Sequence, residues 1–102
     1  MLGIIEQHLP AIEALCRKHH VARLEIFGSA ARGDFDPSRS DLDFFVEFVD
    51  LGWKGSFKRF MGLKLALEAL FGRSVDLVEP NAVVNPYFAI VANRHRALIY
   101  AA

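Results

Sequence analysis

The segment Asp41-Leu42-Asp43-Phe44-Phe45-Val46-Glu47-Phe48 constrains the fold more than any other stretch of the chain. It opens with acid and apolar residues in alternation, so Asp41 and Asp43 point to one face of a strand while Leu42, Phe44 and Val46 point to the other. Beyond those first residues both faces are largely apolar, as in a strand inside a sheet rather than at its edge. The rest of the chain must therefore supply neighbouring strands and a covering layer. Ile5, Leu9, Ile12, Leu15 and Cys16 recur at three- and four-residue spacing, which predicts an amphipathic helix near residues 2–19, with Pro10 as the place where it would kink. Leu24, Ile26 and Phe27 predict a short strand that stops at Gly28, followed by a loop containing Gly33, Asp36, Pro37 and Ser38. Phe60, Leu63, Leu67, Leu70 and Phe71 predict a helix ended by Gly72, with Lys58, Lys64 and Glu68 on its polar side. A third strand is expected at residues 74–78, closed by Pro80, then a short helix near 87–94 opened by Pro86, and a last short strand at 97–100. The alternation of elements predicts a single α/β (α+β) domain over residues 1–102, a small mixed sheet with helices packed mainly on one face.

A chain of 102 residues leaves no room for a separate substrate-binding domain, so a second substrate would have to present itself. Apolar residues make up 53% of it, a surplus that suggests some of them cover a partner, and an oligomer or hetero-complex is expected. The formal charge is zero, which gives no electrostatic ground for direct nucleic-acid or membrane binding. No stretch is long and apolar enough for a bilayer-spanning helix, and the first twenty residues lack the pattern of a signal peptide. Cys16, the one cysteine, excludes an intrachain disulfide and suits the cytoplasm; on an apolar helical stripe it reads as a core thiol, not a nucleophile. Neither His8, His19, His20 nor His95 has the spacing of a zinc ligand set. Phe57, Phe60 and Met61 are expected mainly in helical core packing, and Trp53 is the best candidate for an interface.

The chemistry concentrates in Gly28-Ser29-Ala30-Ala31-Arg32-Gly33 and in Asp41 and Asp43. Two carboxylates forced onto one strand face repel each other strongly in a partly dry site, and a divalent cation is the compensation that such a fold calls for. Magnesium suits carboxylate oxygens together with substrate phosphates. Asp76, in the alternating stretch Ser74-Val75-Asp76-Leu77-Val78, would bring a third carboxylate if its strand neighbours that of Asp43, either as a metal ligand or as a base. Gly28 at a strand end allows close backbone approach by a phosphate, with the Ser29 hydroxyl as donor. Arg32 and Arg39 add positive charge nearby, for phosphate or, in the case of Arg32, equally for pairing with an acid that fixes the loop. A Walker loop is excluded, because its Gly-Lys-Ser/Thr ending is absent.

Together, the Gly28–Gly33 segment and Ser40-Asp41-Leu42-Asp43-Phe44-Phe45-Val46-Glu47-Phe48 closely resemble the signature of the minimal nucleotidyltransferase family, within the DNA polymerase beta superfamily. The resemblance runs over nearly the whole chain; Phe44 and Phe45 depart from it, standing where the family often has smaller aliphatic residues. It implies a polymerase-beta-like core, with Gly28 and Ser29 as triphosphate contacts, Asp41 and Asp43 as ligands of magnesium, two ions in all, and Asp76 as the third catalytic carboxylate. It further implies ATP as substrate and an all-helical HEPN toxin as partner, whose tyrosine would accept the adenylyl group. Two alternatives remain open: an antitoxin that occludes its partner without chemistry, and a small-molecule nucleotidyltransferase whose pocket a second chain completes.

Overall fold

The computed structural model describes residues 3–28, 42–49, 52, 54–79 and 96–102. Where one helix was expected near 2–19, there are two: α1, Gly3–Gln7, and α2, Leu9–Lys18. Pro10 explains the break. Inside a continuous helix it would offer no N–H to the Glu6 carbonyl and its ring would clash with that oxygen, whereas in the first turn of α2 its missing N–H has no intrahelical duty. His8 sits at the joint, its backbone N–H on the Ile5 carbonyl at 3.1 Å and its ring Nδ1 donating to the Ile4 carbonyl at 2.7 Å. The buried stripe of α2, Ile12 and Cys16, is the one its spacing predicts. Burial, reinforced by the nearby Glu13 charge, pushes the Cys16 thiol up to about 12, which makes it a core group. Past the end of α2, His20 adopts a left-handed φ of 59°, and its carbonyl accepts the Val49 N–H at 2.8 Å, which ties the helix end to the sheet.

The strands are β1, Val21–Phe27; β2, Leu42–Phe48; β3, Val75–Val78; and β4, Arg96–Ala101, in the sheet order β3-β2-β1-β4. β1 pairs antiparallel with β2 and β4, while β2 and β3 run parallel. The apolar run of β2 therefore occupies an inner position, as its pattern predicts. A parallel pair cannot close by a tight turn. Helix α3, Ser56–Phe71, supplies the connection between β2 and β3, bounded by Gly55 and Gly72, both left-handed. At its far end the Glu68 carboxylate accepts the Val75 N–H at 3.1 Å and the Lys64 ammonium at 3.2 Å, joining α3 to the start of β3. The Val75 N–H foremost, and then Lys64, hold the Glu68 carboxyl below its ordinary value.

The three described helices pack on one face of the sheet. Ile5, Ile12, Cys16, Leu63, Leu67 and Phe71 meet Leu24, Ile26, Leu42, Phe44, Val46, Val75, Leu77 and Ile99 in one buried cluster. Each such aliphatic or aromatic side chain contributes about 1.5–3 kcal/mol relative to exposure. Phe60 packs against this cluster as expected, but Phe57, one turn earlier at the start of α3, is 76% exposed. Phe60, Leu63 and Leu67 share the inward side of the helix, and Phe57 stands off that line, bordering an open pocket with Phe60, Leu77 and Val78. Trp53, the helix expected near 87–94 and the loop from Gly33 to Ser38 lie outside the described residues. No described helix is long and apolar enough to cross a membrane.

Candidate active site

The sheet face turned away from the helices carries the polar chemistry. Strand alternation places Asp43 and Phe45 of β2 there, since Leu42, Phe44 and Val46 are all buried in the helix-side core. Asp76 belongs to the same face, between Val75 and Leu77, which are buried on the other. In the parallel ladder Asp43 and Asp76 are register partners, flanked by the pairs Leu42 with Val75 and Phe44 with Leu77. Neighbouring strands lie about 4.8 Å apart, so the two carboxylates rise side by side. Asp43 is partly buried and Asp76 exposed.

Gly28 completes the described part of the site. Asp43 pairs with Phe27 in the β1–β2 ladder, and its side chain leans past that residue to lie against the Gly28 Cα. Beside the acids, Phe27 and Phe45 stack at 4.2 Å between ring centroids, and Val78 packs against them. This small apolar cluster lowers the local dielectric along one flank of Asp43 and strengthens whatever charge interactions that carboxylate makes.

Sequence reasoning missed an ion pair on this face. Glu25 is only 5% exposed; it pairs across the ladder with Phe45 and, on the other side, with Leu98. Arg23, two residues earlier on the same face, donates from Nε to its Oε1 at 2.6 Å. The period of two in Arg23-Leu24-Glu25-Ile26-Phe27 carries that signal, but not the burial of Glu25, which depends on its cross-strand neighbours.

Of the residues singled out from the sequence, Gly28, Asp43 and Asp76 are brought together, whereas Ser29, Arg32, Arg39 and Asp41 lie outside the described residues. Among the described residues no three His, Cys, Asp or Glu side chains form a metal-binding group. The described donors nevertheless fit magnesium: two hard carboxylates on one face, whose repulsion a cation would relieve, and a glycine where any Cβ would fill the space that Asp43 needs.

Residues 11–99 match the nucleotidyltransferase domain family. The chain is 38% identical, over 73 residues, to a provisionally named protein adenylyltransferase of Methanocaldococcus jannaschii, a match spanning 72% of this chain and 70% of the relative. A solved structure of a provisionally assigned minimal nucleotidyltransferase is similar with a TM-score of 0.73 and 33% identity, covering 90% of this chain and 89% of that one. The fold also recurs, with a TM-score of 0.59 at 18% identity, in the complex of a tri-AMPylated Shewanella oneidensis HEPN toxin with its MNT antitoxin, over 96% of this chain and 73% of the matched one.

Proposed function

Since the chain belongs to the nucleotidyltransferase domain family, as a minimal nucleotidyltransferase with a polymerase-beta-like core, we propose that it transfers AMP from ATP to a hydroxyl of a partner protein. The acceptor we assign is a tyrosine of an all-helical HEPN toxin, with this chain as the antitoxin. Support for the acceptor class comes from the adenylyltransferase relative, and for the partner from the fold shared with the toxin–antitoxin complex. The observation that carries the enzymatic reading is the pairing of Asp43 with Asp76 on the sheet face that the described helices leave uncovered.

In this reaction the acceptor oxygen forms a bond to the α-phosphorus of ATP. The bond from that phosphorus to the oxygen bridging to the β-phosphate breaks, and pyrophosphate leaves with the electron pair. Asp76, exposed at the rim, meets the incoming protein and takes or directs the hydroxyl proton. Asp43 is held from both sides by β1 and β3, so its carboxylate is placed before substrate arrives. Gly28 and Ser29 orient the triphosphate, and Arg32 and Arg39 add positive charge beside it. Asp41, Asp43 and Asp76 would hold two magnesium ions, which supply neutralisation of the triphosphate and a lower pKa for the acceptor. Catalysis is thus mainly positioning and electrostatics.

The test is label partition. With magnesium and lysate from its own source, the protein should move label from α-labelled ATP into a protein acceptor and none from γ-labelled ATP. Label arriving from the γ-phosphate would mean phosphoryl transfer, and no labelled protein at all would reject a protein acceptor.

A further inference from the structure

Four described glycines have a left-handed backbone: Gly28, Gly52, Gly55 and Gly72. They differ in what a side chain would meet. A Cβ at Gly52 or Gly72 would find nothing within 4 Å, and one at Gly55 only Nη1 of the flexible Arg59, at 3.6 Å. At Gly28, φ 73°, an ideal Cβ would overlap Oδ2 of Asp43 and stand 3.3 Å from its Cγ and 3.5 Å from its Cβ. Backbone conformation alone would admit asparagine or aspartate there, since both enter the left-handed region at modest cost. Space does not admit them.

We infer that Gly28 is a positioning residue for the metal site: its bare Cα is the surface against which the Asp43 carboxylate rests, so glycine is needed there to aim that carboxylate as well as to admit phosphate. The inference rests on the reading of Asp43 as a metal ligand. Asp43 lies on an inner strand, paired with Phe27 on one side and Asp76 on the other, so its backbone cannot retreat from a new neighbour without breaking two ladders. The side chain has to yield instead. The same face holds Phe45 two residues further along and Asp76 beside it, so a displaced carboxylate turns toward an apolar ring or toward a like charge. Either way its oxygens leave the positions from which they would hold an ion together with Asp76. Metal sites need their ligands within about 0.5 Å of the productive geometry, and a methyl group in van der Waals conflict moves them further than that.

Binding of manganese(II) to the nucleotide-free protein, read from the fall in the free-ion EPR signal, separates this role from a phosphate contact. Gly28→Ala should weaken manganese binding about tenfold or more, the scale seen when support for a metal ligand is removed. A chemically ligated protein with D-alanine at position 28 accepts the positive φ and directs its methyl to the other side of the Cα, so it should bind close to wild-type strength. That second protein also covers the case in which Gly28→Ala does not fold. Wild-type binding by folded Gly28→Ala, or equal weakening in both proteins, would overturn the inference. A wild-type protein that takes up no manganese would instead overturn the metal-ligand reading, and the role of Gly28 with it.

Discussion

Asp41→Asn combined with Asp43→Asn is expected to lower nucleotidyl transfer by about a thousandfold or more, the scale of losing preorganised charge stabilisation in an active site, while the urea midpoint stays where it is or rises slightly. Asparagine keeps the size and shape of each side chain, removes its charge and puts an NH2 donor in place of one acceptor oxygen. Asp43 faces Asp76 across a parallel ladder, and like charges in opposed positions destabilise a sheet. Removing the Asp43 charge relieves this repulsion between β2 and β3. The combination of lost transfer and retained stability is what separates a working carboxylate from a structural one. Transfer that survives in the purified double variant would remove both residues from the mechanism.

The largest effect on stability is expected from Phe44→Ala, at about 3–5 kcal/mol. Phe44 lies next to Asp43 in sequence but on the opposite face, with no exposure, and its ring stacks toward Phe71 of α3 at 6.2 Å between centroids. It thus fills the space between the inner strand and the helix that connects β2 to β3. Truncation leaves a cavity that neither element can close, because β2 is paired on both sides. Against a total of about 5–15 kcal/mol for a domain of this kind, that loss is roughly a fifth of the stability or more, and urea titration measures it. A loss below about 1 kcal/mol would mean that the ring is not where the packing places it.

Much of this arrangement can be read from residue order because it depends on short periods. The inner position of β2 follows from its two apolar faces, the extent of α3 from its spacing and from Gly72, and the shared face of Asp43 with Phe45 from alternation. The break at His8 is less legible. Pro10 marks a disturbance, but whether a helix bends or divides there depends on what the two pieces pack against. Strand partners are also silent in the sequence. Nothing in Arg96–Ala101 announces a place beside β1, and nothing in Val75–Val78 announces that Asp76 stands opposite Asp43 and not one register away. The same limit hides the burial of Glu25 and the close approach of Asp43 to Gly28. From sequence Gly28 reads as room for phosphate, and the competing claim of the carboxylate emerges only once the β1–β2 register is known.

Amide NMR of the wild-type protein during titration with manganese(II) tests the shared carboxylate site most directly, because a paramagnetic ion broadens only what lies near it. Signals of Gly28, Asp43 and Asp76 should disappear together at the first substoichiometric additions, ahead of those of Ile12, Cys16 and Leu67, beneath the opposite face. Broadening that reaches Asp43 and leaves Asp76 untouched, or that begins on the helical side, would contradict a site shared between β2 and β3.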